Sequence, residues 1–418
     1  MKVVGIIAEY NPFHNGHKYQ IEELRKRTGA DYCIVVMSGN FLQRGVPALC
    51  SKYERARMAL SCGADLVLEL PVFWATASAE LFAKGGVQTL VNTGVVTHLG
   101  FGAETDDLGL LKSISSILKD EPEEYVFELR KALRKGVSFP VARKQAILAS
   151  LSGYSTEYLE EVLDSPNNIL AIEYLKALPA DITPVLVQRK GAGYHDTTLD
   201  SEFPSASAIR DAIFKSPASP SDSDNSLEVL KNAMPAEAYE ILVNCIKQNA
   251  IMEPADLSAI MGYRLLSFHK REFSLYADCS EELANTIKNH LSNYRDFESF
   301  CQELKSKSYT YTRISRTLLH MLLDIKEHEV SCARQEGYAP YLRVLGFRKD
   351  ASALLAEIKK EASSPLITKV ADYPSCFIPR THFMVEKDLH TSAIYQQILT
   401  TQKGQPPAND YTSQIVIL

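Results

Sequence analysis

The chain has 418 residues, 45% hydrophobic and 23% charged, with a formal net charge of -6 and a pI near 6.0. That length exceeds what one hydrophobic core usually organises, so two domains are expected. The balance excludes a mainly disordered chain and a uniformly basic nucleic-acid coat protein, although a local basic face remains allowed. Eight scattered cysteines (Cys33, Cys50, Cys62, Cys245, Cys279, Cys301, Cys332 and Cys376) include no CxxC pair, which fits reduced thiols in a cytoplasmic protein. The opening MKVVGIIAEYNPFHNGH lacks a small-residue cleavage site and reads as a buried strand rather than a signal peptide. No stretch is apolar for long enough to span a bilayer, so no membrane partner is expected, and no protein partner is inferred.

In chain order, residues 3–8, 32–37, 65–70, 95–101 and 184–187 are apolar, β-branched strand candidates. Between them, residues 16–27, 51–62 and 76–92 carry apolar side chains at helical spacing. Strands nearly continuous in apolar residues and separated by helices predict a mostly parallel α/β sheet covered on both faces. Such sheets bind ligands beyond the carboxyl ends of their strands. Residues 106–178 read as a helical insertion, and the Ser/Pro/Asp run at 216–226 as a linker. Residues 1–215 are then a catalytic domain, and 227–418 a mainly helical second domain. Its last fifty or so residues carry no assignable pattern.

The sharpest motif is Glu9-Tyr10-Asn11-Pro12-Phe13-His14-Asn15-Gly16-His17, which follows a strand and opens a helix. A helix N-terminus presents unpaired N–H groups and a partial positive charge, a ready phosphate site. Two imidazoles one turn apart there can donate hydrogen bonds to α-phosphate oxygens and departing pyrophosphate as charge develops. Gly16 allows close backbone approach. Far downstream, Phe203-Pro204-Ser205-Ala206-Ser207-Ala208-Ile209-Arg210 places two serines at a helix start and an arginine one turn inside, a second phosphate-binding pattern.

HxGH after strand one resembles the nucleotidylyltransferase superfamily, with its Rossmann-like (HUP-type) domain. Three further segments narrow the likeness: Met37-Ser38-Gly39-Asn40-Phe41-Leu42-Gln43-Arg44-Gly45, Ser165-Pro166-Asn167-Asn168-Ile169-Leu170-Ala171 and Gln188-Arg189-Lys190-Gly191-Ala192-Gly193-Tyr194-His195-Asp196. Together they resemble the bacterial tRNA(Met) cytidine acetate ligase family over the first 215 residues. The resemblance implies an enzyme that activates acetate with ATP to acetyl-adenylate. It then transfers acetyl to N4 of the wobble cytidine of elongator tRNA(Met), releasing AMP. It also implies a catalytic set of His14, His17 and Arg210. The implied ATP site comprises Ile7, Ala8, Glu9, Tyr10, Asn11, Pro12, Phe13, His14, Asn15, Gly16, His17, Gln20, Gly102, Asn167, Arg189, Lys190, Ser205, Ser207 and Arg210. Gln43 and Arg44 form an acetate or acceptor loop. Mg²⁺ is expected with the ATP phosphates, without an assignable protein ligand.

A tRNA surface is implied on the second half. Lys305, Lys307, Tyr309, Arg313 and Arg316 interleave cations with hydroxyl and aromatic residues, and Arg343, Arg348 and Lys349 form another basic cluster. Each segment also has a plainer reading. Arg44 reads equally as a surface-loop residue, Asn167 and Asn168 as helix caps, and both basic clusters as solvated faces. HExxH, GxxxxGK[ST] and GxGxxG patterns are absent, which removes zinc-hydrolase, P-loop and dinucleotide-binding readings. Two alternatives stay open: a small-molecule adenylyltransferase acting on phosphopantetheine or nicotinate mononucleotide, and a non-catalytic nucleotide-sensing RNA-binding protein.

Overall fold

A computed structural model describes residues 1–190, 203–214, 228–267, 272–376 and 378–418. The expected linker at 216–226 and the Gly191–Asp196 end of the Arg189 loop lie outside the described residues. Five strands stand close to their expected positions: β1 (Val3–Ala8), β2 (Tyr32–Ser38), β3 (Leu66–Leu70), β4 (His98–Ala103) and β5 (Thr183–Gln188). They form a parallel array in the order β5-β4-β1-β2-β3. The order reverses between β1 and β4, so the crevice at their carboxyl ends is where a doubly wound sheet binds its ligand.

Strand alternation divides the core between two faces. Val3, Ile7, Ile34, Val36, Leu66 and Leu68 pack with Phe82, Val87 and Leu90 of the helix Ala79–Val91. Val4, Ile6, Cys33, Val35, Met37 and Val67 pack with Ile21 and Leu24 of the helix Asn15–Thr28 and with Leu60 of the helix Lys52–Ser61. Both faces are therefore dry, as the unbroken apolar strands require. The expected insertion holds five helices, from Leu108–Asp120 to Pro166–Ala177.

The C-terminal half contributes more than helices. Three further strands, β6 (Leu342–Phe347), β7 (Leu366–Ile367) and β8 (Val416–Ile417), extend the same sheet beyond β3. β6 runs antiparallel to β3, with Glu69 opposite Arg343 and Leu66 opposite Phe347. Trp74 Nε1 donates to the Tyr338 carbonyl (2.6 Å), and Tyr395 Oη donates to that of Ala48 (2.9 Å). The second half thus wraps the first and completes its sheet. Among the described residues no helix is long and apolar enough to cross a membrane.

Candidate active site

At the end of β1 the backbone turns sharply. Tyr10 adopts a left-handed φ of 48°, and the Asn11–Pro12 peptide is cis. The buried guanidinium of Arg55 pins this corner by donating to the carbonyls of Glu9 (2.6 Å), Ser38 (3.0 Å), Gly39 and Cys50 (3.1 Å). The carboxyl ends of β1 and β2 are thereby tied to the loop that follows β2.

His14 is the N-cap of the helix Asn15–Thr28. Its Nδ1 accepts from the Gly16 N–H (3.1 Å), and the Nδ1 of His17 accepts from the His14 N–H (3.2 Å). This reciprocal cap satisfies two orphan donors of the first turn. An Nδ1 that accepts is unprotonated, so each neutral ring carries its hydrogen on Nε2. The rings stack with centroids 3.7 Å apart. Burial pulls the His14 pKa down to about 3, with Arg189 and Arg210 adding to the effect. Burial, then His14 and Arg189, hold His17 well below the ordinary histidine range. Both imidazoles are therefore neutral Nε2–H donors at physiological pH.

These rings line a cavity of about 460 Å³ at the carboxyl ends of β1 and β4. The second motif forms the facing wall. Ser205 Oγ accepts from the Ala208 N–H (3.0 Å) at the start of the helix Ala206–Phe214. Arg210 donates to the Asn11 carbonyl (2.6 Å) and to Ser207 Oγ (3.1 Å), which binds the two motifs together across 199 residues. Burial disfavours the Arg210 charge, as does Arg44 nearby, while Glu9 and Asp211 favour it. Arg189 continues β5 through its N–H bond to the Ala103 carbonyl (2.9 Å) and lines the cavity. Its side chain is solvent-accessible, while the surrounding protein disfavours its charge and Glu104 favours it. Arg44, Arg189, Lys190 and Arg210 thus gather around one cavity, an arrangement that favours a polyanion.

Most expected ATP residues line this cavity: Ile7, Ala8, Glu9, Tyr10, Asn11, His14, Gly16, His17, Gln20, Gly102, Asn167, Arg189, Lys190, Ser205, Ser207 and Arg210, with Gln43 and Arg44 of the acceptor loop. Three do not. Pro12 and Phe13 are buried behind the motif. Asn15 faces the other way, its N–H on the Ala233 carbonyl (3.1 Å) and its Nδ2 on that of Asn232 (2.7 Å). Gly16 also has a role beyond ligand approach, since a Cβ there would lie 3.0 Å from the His14 ring. Asn168, 1% exposed, is a brace whose Oδ1 accepts from the Glu104 N–H (2.9 Å) and the Thr105 N–H (3.2 Å).

The expected RNA contacts divide. Arg343 is 2% exposed and paired with Glu69 (3.1 Å) and Asp410 (2.9 Å), because β6 is an inner strand of the sheet; it presents nothing to RNA. Tyr309 is also buried, its hydroxyl bonded to Glu282 and Ser280. Arg348 and Lys349 sit beside the amino end of β3, where the Arg348 N–H meets the Asp65 carbonyl (3.0 Å). That edge lies a strand's length, roughly 17 Å, from the cavity. Lys305 and Lys307 are exposed, and the adjoining helix Tyr311–Leu322 lines the cavity mouth with Thr312 and Arg316. Arg316 is meanwhile paired with Asp278 (2.9 Å).

Sequence reading missed the apolar wall of Phe82, Phe101, Leu170, Tyr174 and Val187. These residues satisfy helix or strand periodicity like any core residue, so only the fold distinguishes them.

A family model described as HIGH Nucleotidyl Transferase matches residues 1–410. Sequence relatives named tRNA(Met) cytidine acetate ligase include those of Caldanaerobacter subterraneus subsp. tengcongensis (40% identical, 94% of this chain and 95% of the relative) and Acetivibrio thermocellus (35% identical, 100% of both). The chain belongs to the tRNA(Met) cytidine acetate ligase family of HIGH nucleotidyl transferases. Thermotoga maritima TmcAL gives the corresponding fold. Its apo crystal structure matches with a TM-score of 0.91 and its complex with alpha-thio ATP with 0.88, each 30% identical over 100% of both chains. This likeness spans the helical half and the added strands as well as the HNGH unit.

Proposed function

We propose that this chain is an ATP-dependent tRNA(Met) cytidine acetate ligase. The observation that carries the reading is the pair of imidazoles, His14 and His17, each with Nδ1 on a backbone N–H and both set in one cavity with Arg189 and Arg210. In the first step an acetate oxygen attacks the α-phosphorus of ATP, and the bond to the bridging oxygen breaks to release pyrophosphate. His14 and His17 donate to the oxygens on which charge accumulates, without the reorganisation water would need. Ser205, Ser207 and Arg210 hold the outer phosphates, and Arg189 spans nucleotide and leaving group. In the second step N4 of the wobble cytidine attacks the acetyl carbonyl, loses a proton and displaces AMP.

Acetate fits the part of the cavity walled by Ile7, Phe82, Phe101, Leu170 and Tyr174, which takes its methyl group, with Arg44 attracting its carboxylate. Gln43 is set there by its N–H bond to Glu9 Oε1 (2.8 Å). Among the described residues no group of three or more His, Cys, Asp or Glu is arranged to hold a metal ion. Among the described lining residues Glu9 alone carries a carboxylate, which suits Mg²⁺ held chiefly by the ATP phosphates, whose charge it neutralises. The anticodon approaches past Lys305, Lys307 and Arg313, at the start of the helix that borders the cavity mouth.

The test is mass spectrometry of tRNA nucleosides after incubation with ATP, acetate and elongator tRNA(Met), alongside acetate-dependent ATP–pyrophosphate exchange. N4-acetylcytidine that requires both small substrates is expected. Exchange without any acetylated cytidine points instead to a small-molecule acceptor and ends the tRNA reading.

A further inference from the structure

In a chain of net charge -6, residues 129–156 carry six basic residues and no acidic one. They form most of a helical hairpin in the insertion, built from Glu123–Arg134 and Phe139–Ser150. The first helix buries Tyr125 and Ala132. Its other face presents Phe127, Arg130, Lys131 and Arg134, spaced i, i+3, i+4 and i+7, a continuous stripe on one side of a helix. Phe127 is 64% exposed, with Lys131 Nζ 5.8 Å from its ring centre. At the tip, Lys135, Phe139 and Val141 continue the pattern, Phe139 being 56% exposed. Phe127, Leu133, Phe139 and Val141 are all exposed on this one hairpin, and a cluster of exposed apolar side chains among polar ones marks an interaction site.

The hairpin also adjoins the active site. Arg143, in the first turn or so of its second helix, pairs with Glu173 (2.8 Å). Glu173 lies on the helix Pro166–Ala177, whose Asn167, Leu170 and Tyr174 line the cavity. One helix therefore stands between the second helix of the hairpin and the cavity.

We infer that this hairpin is a second tRNA-binding surface, distinct from the Lys305–Arg316 segment, on which Arg130, Arg134 and Lys135 contact phosphates and Phe127 and Phe139 receive unstacked bases or ribose faces. Phosphate contacts need cations without competing acids, and single-stranded RNA loops are read by stacking on aromatic rings. Lys131 is taken up by Glu128 (2.9 Å), Arg143 by Glu173 and Lys144 by Asp164 (2.7 Å), but among the described residues no ion pair engages Arg130, Arg134 or Lys135. Those three cations and the two rings supply both requirements; in joining them to acylation of the wobble base, the inference rests on the tRNA-acylation reading.

The experiment uses the full chain and an in vitro transcript of elongator tRNA(Met). The Arg130→Gln/Arg134→Gln/Lys135→Gln variant alters exposed side chains only, and unchanged ATP affinity and acetate-dependent pyrophosphate exchange report that the fold is intact. Expected results are a tenfold or greater loss of tRNA affinity and a salt-dependence slope shallower by about 2, near 0.7 for each single-stranded phosphate no longer neutralised. Phe127→Ala/Phe139→Ala should weaken binding while leaving the slope unchanged. Affinity and slope that both match the parent overturn the inference. So does binding of the parent hairpin face to phosphatidylserine vesicles, lost in the triple variant while tRNA affinity is kept. If the parent makes no N4-acetylcytidine, the functional reading fails, and direct tRNA binding still decides the surface.

Discussion

His14 divides its two ring nitrogens between structure and chemistry. Nδ1 caps the helix Asn15–Thr28, which leaves Nε2–H for a phosphate oxygen. Asparagine is an excellent N-cap, so His14→Asn should keep the helix start and change stability by no more than about 0.5 kcal/mol. It removes the imidazole donor, and pyrophosphate exchange should fall about 100- to 1,000-fold, as when one oxyanion-type donor is lost. Exchange within threefold of the parent would show that this imidazole is only a cap. Tyr174 poses a different question, that of acyl size. In the proposed site its ring bounds the space for the methyl group, so Tyr174→Ala should raise the propionate-to-acetate ratio of exchange rates about tenfold or more, the value of one methylene in an apolar pocket. A ratio unchanged from the parent's would place the acyl group elsewhere. The two residues also differ in legibility. HNGH is contiguous, and its residue types are unusual for a helix start, so the sequence displays it. Tyr174 and Phe82 obey core periodicity, and nothing in the sequence separates a wall of the cavity from a wall of the core. Arg55 is hidden for a related reason, because its four acceptors are backbone carbonyls from three separate stretches of chain.

At the level of elements, the loop after β2 is held between the two halves of the chain. Ser315 Oγ, on the helix Tyr311–Leu322, donates to the Gly45 carbonyl (2.9 Å) across 270 residues. Gly45 itself has φ +76°, and a Cβ there would stand 2.3 Å from the Arg316 nitrogen and 2.5 Å from the Ser315 carbonyl carbon. Gly45→Ala therefore meets backbone strain and backbone overlap together, and the helix must move away. A loss of about 2–4 kcal/mol is expected from those two causes. Because Arg44 adjoins the displaced residue, the KM for acetate should rise as well. Urea unfolding and exchange kinetics measure the two effects, and a variant with parental stability would mean the loop is not clamped by the helix. The sequence shows the glycine and the loop. It does not show the partner helix, since a close backbone approach leaves no side-chain signature on the approached element. The same reasoning accounts for the strands β6 to β8. Two of them are only two residues long, too short for periodicity to register, and both pair with β6, which is itself seated on the edge of β3.

For the whole molecule, closure of the sheet by the C-terminal segment is locked by a buried charge cluster. Lys52 Nζ meets Glu69 (2.8 Å), Asp410 (2.9 Å) and Ser392 Oγ (2.8 Å), and Arg343 meets Glu69 and Asp410. Two cations face two anions drawn from the helix Lys52–Ser61, β3, β6 and the C-terminal tail. Removing one member leaves a buried charge uncompensated, so Asp410→Ala should lower stability by about 3–5 kcal/mol at pH 7. Lys52 and Arg343 hold the Asp410 carboxyl well below the usual carboxylate range despite its burial. Its contribution is thus fully present above the unfolded pKa near 4 and is lost only as pH falls through the depressed folded value. His14 and His17 act in another window. Their folded pKa values lie below 6.5, so the unfolded chain binds more protons once pH drops beneath that value. Each then subtracts about 1.4 kcal/mol per pH unit of further acidification. The parent should therefore begin to lose stability below pH 6.5, well before Asp410 titrates. Urea midpoints at pH 7.5 and 5.0 separate the two origins. Asp410→Ala should lower both midpoints and leave their difference unchanged, whereas His14→Asn/His17→Asn should keep the first and reduce the difference. An acid slope identical in parent and double variant would mean that these imidazoles titrate in the folded chain as they do in the unfolded one, and that burial does not hold them neutral below pH 6.5.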